Sequence, residues 1–259
     1  MSSSHDSALD AILADDGRPV LFTRARILTM DPLIGTMSGA DLLVLGAVVV
    51  GVGPGIVTAA GDDNAIVVDC AGLIIAPAVV DTVALAGGRA HRSEHVATLA
   101  PGNAADFLVV PDELAADVPS ATAVLLTRPE RVRALVAGGR PVLWDGVDVP
   151  GRGSVPGADV PGRAGVPGAG VPEVGVPEVG GPVGSPRLGV WVDRSGFLHQ
   201  ELTADGRYDE TRGGRPHAYQ GRYWIDGDRI DYLDDLGFWA YGEFRGDELH
   251  HAGYVMKLG

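Results

Sequence analysis

The chain contains a single cysteine, Cys70, and a single lysine, Lys257, among its 259 residues. One cysteine cannot form an internal disulfide, so the fold does not depend on an oxidising compartment. The first residues lack the basic start and apolar core of a secretory signal, and no apolar run is long enough to span a bilayer. These absences predict a cytoplasmic protein without a membrane partner.

Positive charge is also scarce. The 20 Lys and Arg residues face 34 Asp and Glu residues, which gives a formal net charge of -14. Nucleic acids bind positively charged surfaces because such surfaces displace their counterions. We therefore expect no nucleic-acid partner. The sequence also has no phosphate-binding loop and no dinucleotide fingerprint, and we expect no cofactor.

The residues between positions 19 and 148 follow a β pattern. Short runs rich in β-branched side chains alternate with Gly and Pro, both before and after a junction at residues 81–99. Residues 1–18 are predicted to be a flexible tail, and a short amphipathic helix over residues 4–15 is the alternative.

Five segments of this half share their pattern with one enzyme family. They are LFTRARILTMDP (Leu21–Pro32), DLLVLGAVVVGVGP (Asp41–Pro54), AIVVDCAGLIIAP (Ala65–Pro77), TLAPGNAADFLVV (Thr98–Val110) and RVRALVAGGRPV (Arg131–Val142). The first three resemble the opening, and the last two the closing segment, of metal-dependent amidohydrolases of the dihydroorotase, urease and N-acyl-deacetylase type. In that family the two segments pair into a small β-sandwich, and a catalytic barrel is inserted between them.

The resemblance implies that the catalytic barrel is missing, since its place falls between Asp81 and Leu99. Val83 and Leu85 stand where the family has two metal-binding histidines, and neither side chain can bind a metal. The family's carboxylated lysine has no counterpart, because Lys257 is the only lysine. We expect a truncated composite β-sandwich over residues 19–148 that holds no metal and is not a working hydrolase.

A second metal hypothesis comes from the junction itself. Residues 91–95, HRSEH, match the H-x-x-E-H signature, in which His91 and His95 share one helical face. The alternative is a solvated linker helix. It is favoured because the helix would be barely two turns long and the sequence shows no third ligand.

Residues 149–186 have a different composition. Val-Pro-Gly begins at Val149, Val155, Val160 and Val166, and Val-Pro-Glu begins at Val171 and Val176. Pro-Gly favours turns and removes a backbone donor, so the segment can build neither a helix nor a sheet. It resembles elastin pentapeptides, and we predict a disordered linker.

From Arg187 onward the chain is aromatic and alternates between apolar and polar residues. The predicted strands are Leu188–Val192, Phe197–Thr203, Arg207–Thr211, His217–Ile225, Arg229–Leu233, Phe238–Phe244 and Glu248–Met256. Strands joined by tight hairpins form an up-and-down meander, which usually closes into a barrel to remove its edges.

Two sets of residues carry a resemblance in this region. Gly189-Val190-Trp191 resembles the Gly-x-Trp signature of lipocalins and streptavidin, whose tryptophan closes one end of a small barrel. The stretches HQELTADGRYDETRGGR, AYQGRY, IDYLDDLGF and HHAGYVM resemble a short bacterial streptavidin-like domain family of mostly unassigned function. The resemblance implies a streptavidin-like β-barrel over residues 187–259 and a ligand, but no particular reaction.

The polar and aromatic side chains of this barrel supply the site prediction. The candidate catalytic residues are Glu201, Tyr219, Tyr232, Asp234 and His250. The candidate ligand-binding residues are Tyr219, Tyr223, Trp239, Tyr241 and Arg212. Tyrosine, carboxylate and histidine together can polarise a carbonyl and move a proton without a cofactor. The alternative is that these aromatics form the core and that the charged groups belong to turns and to the surface.

Two functions remain open on these grounds. The first is a barrel that binds a small, carbonyl-bearing organic ligand, with or without the activity of a cofactor-independent isomerase or cyclase of specialised metabolism. The second is a non-enzymatic ligand sensor or scaffold, in which the amidohydrolase remnant supports a homodimer. A small barrel hosts many functions, so the fold does not decide between them.

Limited proteolysis of the whole protein should cut first within residues 149–186, because a flexible segment reaches a protease without local unfolding. Proline slows cleavage at its own bonds, so a protease of broad specificity is required. Mass spectrometry of the first fragments gives the cut sites. First cuts inside either flanking region would contradict the linker prediction.

Overall fold

The computed structural model describes residues 3–14, 17–56, 61–78, 98–149 and 186–259. Within these residues the protein is mainly β, as the sequence predicts. Val83, Leu85, the H-x-x-E-H segment and residues 150–185 of the predicted linker lie outside the described residues.

The N-terminal half contains two α-helices and nine strands among its described residues. They are α1 (Ser3–Leu13), β1 (Val20–Leu28), β2 (Thr36–Leu45), β3 (Val48–Gly53), β4 (Ile66–Asp69), β5 (Leu73–Pro77), β6 (Phe107–Pro111), α2 (Val118–Thr127), β7 (Ala134–Ala137), β8 (Arg140–Trp144) and β9 (Val147–Asp148). Short 3-10 turns lie on either side of α2, at Asp112–Leu114 and Pro129–Arg131.

Strand β1 organises this half because it bends at Arg24. This residue has a left-handed backbone conformation (φ 64°), and the register with β2 shifts there. Before the bend β1 pairs in parallel with β4, and after the bend it pairs in parallel with β5. One bulged strand therefore belongs to two sheets, β3-β2-β1-β4 and β1-β5-β6-β7-β8-β9.

The two sheets face each other across an apolar core and form a small β-sandwich. Phe22 of β1 meets Phe107 of β6 edge to face, with ring centroids 5.0 Å apart. Side chains of both sheets, such as Leu42 and Val109, belong to the same buried cluster. Helix α2 covers the outer face of the second sheet, where Ala121 is buried.

The N-terminal residues form a helix rather than a flexible tail. Ala8 of α1 is buried, and Leu9 and Ile12 pack against the sandwich core. These three side chains share one helical face, and its burial stabilises a helix that is too short to be stable alone. The structure thus contains the short helix that the sequence offers as the alternative to a flexible tail.

Eight antiparallel strands form a closed C-terminal barrel. They are β10 (Gly189–Asp193), β11 (Leu198–Leu202), β12 (Arg207–Arg212), β13 (Arg215–Asp226), β14 (Arg229–Asp234), β15 (Trp239–Arg245), β16 (Glu248–His251) and β17 (Tyr254–Leu258). Pairing of β10 with β17 closes the barrel, with Trp191 opposite Leu258. Trp191 is 3% exposed and packs beside Phe244 at 5.3 Å between ring centroids.

The prediction of a single last strand over Glu248–Met256 is wrong. The structure divides this stretch into β16 and β17 at Ala252 and Gly253, which both have positive φ (48° and 89°). Two consecutive left-handed residues are what a two-residue hairpin requires. Alanine rarely adopts this conformation, so the apolar–polar alternation does not reveal the turn.

The barrel packs directly against the sandwich. Strand β15 begins before its pairing with β16, and this free edge pairs with β3, with Ala240 opposite Gly51. Leu43, Val50 and Ile56 of the sandwich lie in the same buried cluster as the barrel interior. A barrel that is only tethered, as the linker composition suggests, would lack this shared core.

Gly53→Ala should weaken the contact between the two halves, because Gly53 lies against the barrel backbone. Its φ of 137° is open to glycine alone, and an added Cβ would lie 2.4 Å from the Cα of Phe238. We expect the free energy of unfolding to fall by about 2 to 4 kcal/mol. Urea unfolding measures this loss.

Gly46→Ala is the matched control. Gly46 also has a positive φ (56°), but no atom lies within 4 Å of the added Cβ. Its loss should be about 1 kcal/mol, which reflects backbone strain alone. Equal losses in the two variants would contradict a close contact at Gly53.

Candidate functional site

The pleat of the barrel strands sorts the predicted site residues into two groups. Arg212, Tyr219, Tyr223, Tyr232 and Asp234 are buried and face the interior. Glu201, Trp239, Tyr241 and His250 occupy the alternate positions and face outward. Side chains on one strand alternate between the two faces, so a residue next to an inward-facing side chain faces outward.

Two of the predicted catalytic residues therefore lie outside the barrel interior. Glu201 is exposed because its neighbours Gln200 and Leu202 occupy the inner face of β11. His250 faces outward and contacts Glu248 at 3.2 Å, whereas the next residue, His251, is buried. The buried Leu249 fixes the alternation of β16, which places His251 on the inner face and His250 on the outer face.

Two of the predicted ligand-binding aromatics lie on the outer face of the barrel. Trp239 stacks on Trp224, with ring centroids 5.9 Å apart, and packs against the sandwich core. Tyr241 lies under the guanidinium of Arg229 at 5.2 Å, and Arg229 donates to the carbonyl of Pro101 at 2.8 Å. Both aromatics therefore belong to the contact between the halves rather than to the interior.

The interior contains a continuous chain of polar contacts. The hydroxyl of Tyr232 donates to Oε1 of Gln200 at 2.8 Å, and Nε2 of Gln200 donates to Oε2 of Glu210 at 3.4 Å. Nε of Arg212 donates to Oε1 of Glu210 at 2.5 Å. Nη1 of Arg212 donates to Oδ1 of Asp63, in the sandwich, at 3.2 Å. The chain therefore crosses from the barrel to the other half.

Burial controls the electrostatics of this chain. Glu210 is 2% exposed and Arg212 is 4% exposed. Burial alone would lower the pKa of Arg212, but the carboxylates of Glu210 and Asp63 raise it above its ordinary value. Burial also raises the pKa of Tyr232 well above that of a free tyrosine. Arg212 is therefore charged and Tyr232 is neutral at any physiological pH.

His251 faces this chain from β16. Its Nε2 lies 4.0 Å from Oε2 of Glu210, and its Nδ1 lies 2.7 Å from the carbonyl of Tyr241. A carbonyl accepts only, so Nδ1 carries the proton and Nε2 is the free acceptor in the neutral ring. Burial lowers the pKa of His251, and Glu210 opposes that change only in part. The neutral ring is thus favoured.

A cavity of about 40 Å³ lies between this chain and the sandwich. Tyr219, Tyr232, Arg212, Glu210 and His251 line it from the barrel. The sandwich contributes a second set of lining residues, which are Leu43, Val50, Gly51, Ile56 and Asp63. The volume accommodates about three water molecules or a ligand of a few atoms.

The other inward residues of the prediction lie outside the cavity lining. The hydroxyl of Tyr208 donates to Oδ2 of Asp234 at 2.7 Å, and burial raises the pKa of this carboxyl. The hydroxyl of Tyr223 donates to the carbonyl of Thr203 at 2.6 Å. Asp234 and Tyr223 therefore stabilise the barrel around the cavity.

The prediction missed Gln200, Glu210 and His251. Gln200 lies between Leu198 and Leu202, and the alternation of those two leucines is the signal that places it inside. Glu210 is inward by the same rule within β12. Asp63 comes from the other half, and strand alternation in the barrel cannot identify it.

The comparisons with known proteins concern the barrel. Residues 184–258 match the family model described as Agrobacterium tumefaciens protein Atu4866. The solution structure of the protein Atu4866 from Agrobacterium tumefaciens is 51% identical in sequence. That match covers 28% of this chain and 92% of the Atu4866 chain, with a TM-score of 0.26. No curated protein matches the chain. The resemblance of the N-terminal half to amidohydrolases stays a prediction.

Two further properties of the described residues bear on the site. In this part of the chain, no three His, Cys, Asp or Glu side chains are grouped so that they could hold a metal ion. Neither of its α-helices has the length and apolar character needed to cross a membrane. The histidines at 91 and 95 lie outside the described residues.

The stability of the protein should fall as the pH drops below about 6.5, the ordinary pKa of histidine. The pKa of His251 is lowered in the folded protein, so protonation favours the unfolded chain. In His251→Gln the free energy of unfolding should depend less on pH between pH 7.5 and pH 5, by about the contribution of one titrating group. Urea unfolding across this range measures it.

His250→Gln is the matched control for this experiment. It removes the adjacent, outward-facing imidazole and keeps the buried ring of His251, so the loss of stability that His251 causes at low pH should persist. A profile that flattens equally in both variants would show that His251 is not the group responsible.

Proposed function

We propose that the barrel is a small-molecule binding module and that its site is the cavity closed by the sandwich. The observation that supports this proposal is the set of buried polar side chains that converge there, with Glu210 and Arg212 at its centre. Buried charges are costly, and apolar side chains of similar volume would often stabilise a barrel equally well. A binding site accounts for their presence.

The cavity favours a small ligand that carries both polar and apolar groups. Pockets for drug-sized ligands have roughly 300 to 1,000 Å³, well above the volume here. Glu210 and His251 supply acceptors and Arg212 supplies a donor on one side, and Leu43 and Ile56 supply an apolar wall on the other. A larger organic ligand would require the sandwich to move away from the barrel.

The same groups suit a cofactor-independent isomerase or cyclase. Nε2 of His251 is the proton acceptor, and Glu210 at 4.0 Å stabilises the imidazolium that forms. Arg212 lines the cavity and is charged, so it can stabilise a developing oxyanion on a carbonyl-bearing ligand. We propose this acid–base role for His251 in place of His250.

The alternative function is a ligand sensor or scaffold without catalysis. The pairing of β3 with β15 and the shared core favour it, because both tie the barrel to the sandwich. On this hypothesis the truncated amidohydrolase half is a structural support, with a homodimer as its assembly. A cytoplasmic location remains a prediction under both hypotheses.

The binding proposal predicts that Glu210 controls ligand affinity. Acetate, glycolate, acetamide and methylammonium are suitable probes, since each is small enough for the cavity. At least one should raise the melting temperature of the wild-type protein and of Glu201→Gln, but not that of Glu210→Gln. Glu201 is the matched control because it lies on the outer face of the neighbouring strand.

Two results would count against the binding proposal. If none of the four probes shifts any of the three proteins, the scaffold alternative is favoured. An equal shift in Glu210→Gln and Glu201→Gln would place binding outside the cavity.

A further inference from the structure

We infer that the mouth of the barrel is a receptor for a carboxylate group, and that Asp63 fills it as an internal substitute for a carboxylate-bearing ligand. This inference rests on the proposed function and names its ligand class. It concerns the place where the polar chain of the barrel meets the sandwich.

Two donors of the barrel converge on a single carboxylate oxygen. Nη1 of Arg212 lies 3.2 Å from Oδ1 of Asp63, and the hydroxyl of Tyr254 donates to the same atom at 2.5 Å. A guanidinium and a hydroxyl aimed at one oxygen form the strong, charge-assisted arrangement with which proteins recognise carboxylates. Both donors belong to the barrel, and only the acceptor belongs to the sandwich.

The barrel alone holds the guanidinium in place. Glu210 accepts from Nε of Arg212, and the rings of Tyr254 and Tyr219 lie 5.4 and 5.8 Å from its central carbon. The guanidinium is therefore oriented without help from Asp63. A donor that is held in place by its own fold lowers the cost of binding another carboxylate.

Asp63 reaches the mouth from a turn, outside the strands of the sandwich. Residues 61–64 precede β4, and the amide of Asn64 donates to the carbonyl of Gly61 at 3.3 Å. The neighbouring Asp62 pairs with Arg215 on the outer rim of the barrel, where Arg215 is half exposed. A turn can withdraw with less disruption than a strand, so Asp63 is a replaceable occupant.

The charge balance around Arg212 allows one external carboxylate to bind only in exchange for Asp63. Glu210 and Asp63 are two carboxylates around the one guanidinium of Arg212, and all three are buried. A second anion added beside Asp63 would be an uncompensated buried charge. An external carboxylate therefore binds only when Asp63 leaves, and the two compete.

The cavity beside Asp63 limits the rest of the ligand. Its volume of about 40 Å³ leaves space for a few atoms beyond the carboxylate. Tyr232 and His251 line this space, and both can accept a hydrogen bond from a hydroxyl. The ligand class is thus a short hydroxy carboxylate.

The experiment compares carboxylate affinity in variants of the full chain. Acetate and glycolate are titrated by calorimetry at an ionic strength held constant with sodium chloride. Asp63→Ala should bind them about tenfold more tightly than the wild-type protein, because the competitor is gone. Asp62→Ala is the matched control and should bind like the wild-type protein. Asp63→Asn replaces Asp63→Ala if that variant does not fold.

Two further measurements test whether the carboxylate binds at the position of Asp63. Tyr254→Phe, combined with Asp63→Ala, removes one donor and should weaken glycolate binding about fivefold. In the wild-type protein, saturating glycolate should speed hydrogen exchange at the amide of Asn64, because the turn is displaced. Unchanged affinity in Asp63→Ala, or an unchanged exchange rate at Asn64, would overturn the inference.

The result also separates this inference from the proposed function. Binding of acetamide or methylammonium that depends on Glu210, without any gain for acetate or glycolate in Asp63→Ala, would leave the proposed function standing and reject the carboxylate receptor. Absence of binding by all four probes in every variant would reject both.

Discussion

The structure depends on one buried guanidinium. Arg212 lies inside the barrel among apolar, aromatic and a few polar side chains, and a buried charge must be paired. Glu210 pairs it within the barrel, and Asp63 pairs it from the sandwich. This buried charge of the barrel is therefore neutralised in part by the other half of the chain, which makes the contact between the halves electrostatic as well as apolar.

Periodicity in the sequence predicts much of this fold. Alternation correctly places Tyr219 and Tyr223 on one face of β13, and it predicts the closed barrel from a series of hairpins. The same rule fails where a turn lacks its usual residues, since the hairpin at Ala252 divides the predicted last strand into two. The predicted His250 faces outward and its neighbour His251 faces inward, because adjacent residues of a strand lie on opposite faces.

The contact between the halves lies beyond what periodicity can show. Val52 and Trp239 are 187 positions apart, and each sits in a strand whose local pattern is complete without the other. Asp63 lies in a turn, where an acidic residue is ordinarily explained by solvent exposure. The site therefore combines residues predicted from the barrel, such as Arg212 and Tyr232, with partners that only the tertiary structure reveals.

The position of the sandwich explains why the site is small. Strand β16 is shorter than β15, so one edge of β15 would be open without a partner, and β3 covers it. That pairing brings Val50 and Ile56 over the end of the barrel, where a ligand would otherwise have open access. The paired edge of β15, the apolar side chains of Val50 and Ile56, and the carboxylate of Asp63 all lie at this end of the barrel. Access to the cavity, barrel stability and contact between the halves are consequently coupled, because whatever separates β3 from β15 also exposes Arg212.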